Sequence, residues 1–326
     1  MVKVVKFGGS SLADATQFKK VADIIHSDPE RRYVVPSAPG KRFKDDIKVT
    51  DLLYKAYYAK SGKEFGKTFE TIRQRYQDII NELNLKLDLS EEFDKIKKAF
   101  KDQVSIEYAA SRGEYLNGIV LANYLGFEFI DPATVIFIDE HGNYDAEMTD
   151  PKLSEKLASV ENAVIPGFYG AKNDGSNEIK TFSRGGSDVT GSIVAKNGNV
   201  SLYENWTDVS GCLIADPRIV DNPDVIGTIT YKELRELSYM GASVLHENSI
   251  FPVRSQGIPI VIKNTNKPED AGTLIVESTC HKPDHVITGI AGKKGFATIM
   301  IEKDMMNSEI GFGRKVLQVL EDNQLS

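Results

Sequence analysis

The chain has 326 residues, 41% of them hydrophobic and 27% charged, with a formal net charge of −7. That balance suits a globular protein with room for two domains of ordinary size, and it excludes collagen-like and disordered classes. The acidic surplus argues against a nucleic-acid partner, which needs a basic face, so any anionic ligand has to be held by local cations.

Residues 3–11, KVVKFGGSS, are an apolar strand-like run that ends in a lysine, two glycines and two serines. They do not make a P-loop, whose lysine follows its last glycine, nor the dinucleotide fingerprint, which needs a third glycine. At the end of a buried strand, Gly8 and Gly9 let the backbone come close to a ligand, and amides feeding a helix form an anion-binding nest. Lys6 is costly in a buried strand unless its ammonium reaches solvent or an anion. A plain strand-to-helix turn with a snorkelling lysine reads the same residues equally well. No run approaches the roughly 18 apolar residues of a membrane span, and the N-terminus carries no leader pattern, so a cytoplasmic location without membrane contact is expected.

Leu12, Ala15, Phe18, Val21, Ala22 and Ile25 recur at helical spacing, with Ser11 and Asp14 resembling the cap of that helix. RRYVVPSA (31–38) is the next strand. SAPGKRFKDD (37–46) is long and charged for a simple turn and reads as a mobile active-site loop. A mostly helical region runs from residue 50 to 126, and within it Phe93, Ile96 and Phe100 mark an amphipathic helix over 91–103. A later helix has apolar positions at Ile106, Ala110, Leu116, Val120 and Tyr124, and Glu114 stands beside that face. Gly113 weakens this helix by about 1 kcal/mol relative to alanine, which a close neighbour would require. Otherwise Glu114 is a border carboxylate.

FEFI, TVIFI, NAVIPGF, VSLYEN, IPIVI and TLIVES are short apolar strands, and their alternation with helices predicts an α/β fold around a largely parallel sheet. In TFSRGGSDVTGSIVAKNG (181–198), Arg184 offers a planar fork that suits a carboxylate, and the amides of Ser187 and Asp188 begin a helix. A glycine turn capped by Asp188 is the alternative. ENWTDVSGCLIADPR (204–218) ends a strand in Thr207 and Asp208, at the sheet edge where α/β folds bind ligands, and Arg218 could meet phosphate. Asp216-Pro217 serves as well for an ordinary turn. Cys212 and Cys280 lack CxxC spacing, and His281 and His285 read as polar loop residues, so no metal site is expected from the side chains themselves. Residues 285–302 contain two strand-like runs, and 308–324 read as a helix. Without further strands to pair, this segment is expected to be the front half of a second small domain.

KFGGSS (6–11), VTDLL (49–53), SRGE (111–114), SRGGSD (183–188), TDVSG (207–211) with DPR (216–218), and YMGASVLH (239–246) occur in that order. Together they resemble the aspartokinases of the amino-acid kinase superfamily, and the stretch from residue 286 resembles the start of an ACT regulatory module. The resemblance implies a three-layer α/β/α sandwich with a mainly parallel eight-stranded central sheet over 1–283. An incomplete ferredoxin-like ACT module would occupy 284–326. It also implies ATP-dependent phosphorylation of the β-carboxylate of L-aspartate, the entry step to lysine, threonine and methionine, with Mg²⁺ accompanying ATP. A homodimer or larger homo-oligomer and a lysine or threonine effector would follow.

By matching position, Lys6 would contact the transferring phosphoryl group and Asp188 would lie at the centre of the site. Thr50, Glu114, Arg184 and Ser187 would hold aspartate. Phe7, Gly8, Gly9, Ser10, Thr207, Asp208, Leu213, Arg218 and Ser243 would line the nucleotide site. Ser243 departs from the pattern, since many members carry a lysine there that reaches the nucleotide. The nearest rival is a superfamily kinase acting on glutamate, N-acetylglutamate, carbamate or UMP. Glu114 favours an acceptor with a free ammonium. A non-catalytic amino-acid sensor is opposed by the presence of Lys6, Arg184 and Asp188.

Overall fold

A computed structural model describes residues 1–325 except 103, 184, 242–244, 246, 280–285, 293 and 296, and excepting the side chains of 247 and 248. The first part of the chain folds as β1 (Lys3–Phe7), α1 (Ala15–His26), β2 (Arg31–Pro36), α2 (Val49–Ala59), α3 (Gly62–Glu82), α4 (Ser90–Lys101) and α5 (Ile106–Leu125). Then come β3 (Glu128–Phe129), β4 (Phe137–Ile138), α6 (Ala146–Ala158), β5 (Ala163–Val164), β6 (Tyr169–Lys172), β7 (Ile179–Thr181), α7 (Gly186–Asn197) and β8 (Leu202–Thr207). The last elements are β9 (Thr228–Thr230), α8 (Tyr231–Tyr239), α9 (Glu247–Arg254), β10 (Ile260–Asn264), β11 (Thr273–Val276) and α10 (Phe312–Asp322).

Eight strands form the central sheet in the order β3-β5-β2-β1-β8-β10-β11-β9. Every neighbouring pair is parallel except β10 with β11. The fold is thus the mainly parallel eight-stranded sandwich that the sequence led us to expect. The TVIFI run supplies β4 to a separate three-stranded sheet, β4-β6-β7. β6, β7 and β9 are only three or four residues long and partly polar, which kept them below the periodicity that marks a strand.

Alternation along β1 explains the layers. Successive side chains leave a strand on opposite faces, so Val5 and Phe7 join a core with α1 to α5, while Val4 joins a second core with α6 to α9. Tyr203 of β8 lies in that second core and Trp206 in the first. Lys6 shares the face of Val4, which is the face that α7 covers. The parallel strands β1, β2, β8 and β10 end at Phe7, Pro36, Thr207 and Asn264, all on one edge of the sheet. That edge is where open α/β sheets bind ligands.

Two local expectations change. Gly9–Leu12 form a short 3₁₀ turn, and α1 starts only at Ala15 with Asp14 as its cap, its carboxylate accepting the Gln17 amide at 2.9 Å. Ser11 does not cap. Its hydroxyl is buried and bonds the Thr265 hydroxyl at 2.7 Å, tying the end of β1 to the end of β10. Residues 286–302 form no strand among the described ones, although two strand-like runs were expected there. Met1–Gly292 and Lys293–Ser326 are separate compact units, and α10 in the second presents Leu317 and Val319 to solvent. No helix among the described residues is long and apolar enough to cross a membrane.

Candidate active site

Lys6 is 8% exposed, and its Nζ lies 2.7 Å from Asp188 Oδ1. Asp188 belongs to the first turn of α7, whose cap is Gly185, so its carboxylate is not spent on capping and reaches the lysine instead. Asn205 of β8 touches both, accepting from Lys6 Nζ at 3.4 Å and donating to Asp188 Oδ1 at 2.9 Å. The three help line a cleft of about 580 Å³ that also takes in Thr207, Asp208, Leu213 and Arg218. Lys6 is therefore no snorkelling lysine; its charge is held inside a ligand-sized cleft. Arg218 is fastened to Asp216 through its own Asx turn (2.8 Å) and a 2.6 Å ion pair, so the turn and phosphate readings of DPR are compatible.

The glycines serve close approach rather than a nest. Gly8 has an extended backbone and donates to the Trp206 carbonyl at 3.0 Å. A Cβ on Gly9 would sit 2.8 Å from the Ala38 carbonyl oxygen, and the Gly40 amide donates to the Gly9 carbonyl at 2.8 Å. Two loops thus touch backbone to backbone, which only glycine allows. The side chain of Phe7 is wholly buried against Trp206 (centroids 6.0 Å apart), so its ring lines a core and not the cleft.

The residues expected around aspartate gather about the same loop after β2. A Cβ on Gly113 would lie 2.8 Å from the Ala38 Cβ, which accounts for a glycine inside α5. Glu114 follows it, 6% exposed, with no hydrogen-bond partner for Oε2 among the described residues. Burial pushes its carboxyl up to about 7, and the Ala38 amide and Arg112 only partly oppose this. Asn117, one turn on, donates to the Ser37 carbonyl at 2.7 Å, and its Oδ1 is likewise unpartnered. Thr50 lies in the first turn of α2, next to Val49, whose amide donates to the Pro39 carbonyl at 3.2 Å. Ser187 is buried against Gly167, whose amide bonds the Pro36 carbonyl at 3.0 Å. Buried acceptors without donors suit a cation, and an α-ammonium would satisfy them.

Arg75 holds this loop in place. It is 4% exposed on α3 and donates to Asp46 at 2.7 Å, to the Gly40 carbonyl at 2.6 Å and to the Ala13 carbonyl at 3.1 Å. Hydrogen bonds from Arg42 as well as Arg75 keep the Asp46 carboxyl well below the usual carboxylate range. The 37–46 segment, expected to be mobile, is thereby tethered at Gly40 and Asp46. Arg75→Met should destabilise the protein by about 3–5 kcal/mol in urea unfolding, the usual result of breaking a buried ion pair from one side. A loss under 1 kcal/mol would show that the tether is dispensable.

Residues 1–264 match the Amino acid kinase family. Aspartokinase 3 of Bacillus subtilis is 40% identical over the whole of this chain, which spans 74% of that protein. The chain belongs to the aspartokinases. A crystal structure of Clostridium acetobutylicum aspartate kinase is 55% identical and superposes with a TM-score of 0.86, covering 98% of this chain and 73% of that one. Escherichia coli aspartokinase III in complex with aspartate and ADP is 26% identical with a TM-score of 0.72, covering 86% of this chain and 65% of the other. An aspartokinase transfers a phosphoryl group from ATP to aspartate; in this chain Lys6 lines the cleft, and Glu114 is a buried carboxylate beside the 36–40 segment.

Two residues expected in this aspartokinase site, Arg184 and Ser243, lie outside the described residues, as do Cys280, His281 and His285. Apart from Phe7, whose ring is in the core, and Gly8, Gly9 and Ser10 in the turn after β1, the others fall into two groups. Lys6, Asp188, Thr207, Asp208, Leu213 and Arg218 line the cleft, while Thr50, Glu114 and Ser187 flank the 36–40 segment. Asn117, Arg75 and Asn205 were missed. Asn205 did carry a signal, since ENWT sets the adjacent polar pair Glu204 and Asn205 in the middle of a strand. Glu204 is accounted for by Arg31 (2.9 Å) and the Trp206 indole (2.8 Å), which leaves Asn205 for the site.

Proposed function

We propose that this site phosphorylates the β-carboxylate of L-aspartate, with ATP in the cleft headed by Lys6 and aspartate beside Glu114. The observation that carries this reading is Lys6, a buried ammonium set against Asp188 at the head of a nucleotide-sized cleft. An aspartate carboxylate, ordinarily near pKa 3.9, is already ionised at neutral pH and needs no general base. The obstacle is repulsion between that carboxylate and the phosphates, so catalysis requires cations and amide donors along the transfer path. Lys6 supplies a point charge at the transferring group, and the backbone of Gly8, Gly9 and Ser10 approaches the phosphates. Glu114 takes the ammonium, Arg184 the α-carboxylate, and Thr50 and Ser187 complete the aspartate pocket, which aims the remaining carboxylate in line.

Among the described residues no cluster of three or more His, Cys, Asp or Glu could hold a metal. Mg²⁺ would bind with the nucleotide, through one or two carboxylates and the substrate phosphates. Asp208, one of the aspartates that line the cleft, would be able to share it. Mg²⁺ bound with the nucleotide neutralises phosphate charge.

We assign residues 284–326 to the front part of an ACT-type module, which when complete would sense lysine or threonine, and the working protein to a cytoplasmic homo-oligomer. Lysine is the ligand, together with aspartate, in a T-state structure of E. coli aspartokinase III, which supports this reading. The test of the main reading is a coupled ATP-turnover assay with aspartate, glutamate, N-acetylglutamate, carbamate and UMP as acceptors, with and without Mg²⁺. Turnover is expected with aspartate and Mg²⁺ only. Faster turnover with any other acceptor would overturn the assignment.

A further inference from the structure

Asn205 lies two residues ahead of TDVSG, outside the motifs that carry the family resemblance, yet it touches both charged groups at the head of the cleft. Lys6 and Asn205 are Cα partners across the parallel β1–β8 pair, so their side chains leave the sheet at one level on the same face. Asn205 is 3% exposed, and both ends of its amide are engaged. Asp188 Oδ1 receives two donors, Lys6 Nζ at 2.7 Å and Asn205 Nδ2 at 2.9 Å. An ammonium has three donors, so Lys6 retains one for a phosphate oxygen while it holds Asp188 and Asn205.

A Lys6–Asp188 pair by itself opposes phosphoryl transfer. The carboxylate competes with phosphate for the ammonium, and once released it repels that phosphate. A neutral amide between them removes the conflict. It offers Lys6 an acceptor and Asp188 a donor, and adds no charge to a site already crowded with anions. The Lys6–Asn205 bond, at 3.4 Å, is the longer of the amide's two, so turning the ammonium toward a phosphate gives up little there.

We propose that Asn205 is a positioning residue for phosphoryl transfer: its amide keeps Asp188 in place and partnered when Lys6 engages the phosphate. The inference rests on the reading of Lys6 given above. Asn205→Leu preserves bulk without the amide, and Asn205→Asp preserves shape but adds a carboxylate. Steady-state kinetics of both, with Lys6→Ala and the Lys6→Ala/Asn205→Leu double variant, decide it. Asn205→Leu should lower kcat by about 10-fold with the aspartate KM within twofold, and Asn205→Asp should lose more, because a second carboxylate would capture Lys6. The double variant should be no slower than Lys6→Ala alone, since residues acting as one unit do not add.

Asn205→Leu within twofold of the parent kcat, or losses that multiply in the double variant, would overturn the inference. Should Asn205→Leu fail to fold, the isosteric Asn205→Asp decides, and near-parent turnover there is equally fatal. Lys6→Ala retaining activity sinks the reading of the cleft itself, whereas retention in the Asn205 variants alone sinks only this inference.

Discussion

Lys6→Ala is expected to lower kcat by about 10²-fold or more, the scale seen when a single preorganised donor is removed from a transition-state site. Two effects combine. The transferring group loses a positive charge in a cleft where screening is weak, and Asp188 loses the ammonium at 2.7 Å, so an unneutralised carboxylate faces the incoming phosphates. The fold should tolerate the change. Val4, Val5 and Phe7 carry the apolar burial of β1, and Lys6 opens onto the cleft, where water can fill the space. Lys6→Arg should recover little, because a planar fork does not replace a compact ammonium held beside Asp188. Aspartyl hydroxamate formation reads the outcome, with circular dichroism melting as the control. Near-parent hydroxamate formation by folded Lys6→Ala would remove Lys6 from the mechanism.

Glu114→Gln is expected to raise the aspartate KM by about 10–100-fold while making the free protein more stable at alkaline pH, the usual scale for removing one charged hydrogen-bond partner. The stability effect follows from linkage. Burial holds the folded carboxyl near 7 against an ordinary value of 4.5, so between those values the folded chain binds a proton that the unfolded chain has released. Stability is therefore lost as pH rises through 4.5–7, by about 3 kcal/mol in all, and the neutral glutamine escapes that loss. Parent and variant should melt alike near pH 4 and separate by pH 8. Aspartate should narrow the gap in the parent, because its ammonium partners the carboxylate. In the parent the aspartate KM should rise about tenfold from pH 8 to pH 6 as Glu114 takes up its proton. A KM flat across that range would show that Glu114 is not the ammonium's partner, and melting curves that stay parallel would show that burial does not raise its carboxyl.

Much of the site was legible because it lies in short stretches at strand ends. KFGGSS, SRGGSD and TDVSG each join a strand or helix to a turn, SRGE lies within α5, and Lys6 and Glu114 are charged groups whose burial demands a reason. What they share could not be read locally. Ser11 looked like a cap because capping is a contact within four residues, but its hydroxyl is used 254 positions away at Thr265. Phe7 sat inside the nucleotide motif, yet the pleat turns its ring to the opposite core, where it stacks on Trp206. Arg75 lay in a charge-rich helix with nothing to distinguish it from its exposed neighbours, and only packing put it under Gly40 and Ala13.

The sequence by itself determined the α/β class, most strands of the central sheet and the family, and it singled out the charged candidates for the site. These depend on periodicity and on motifs a few residues long, which local chemistry controls. The tertiary structure decided which of those residues meet. Parallel register sets Lys6 beside Asn205 and, through α7, against Asp188, from positions separated by nearly 200 residues. Close approach of the 36–40 segment explains Gly9 and Gly113 together and sets Glu114 beside the segment that follows β2. Register and loop contact are properties of pairs of distant segments, and no single segment contains them.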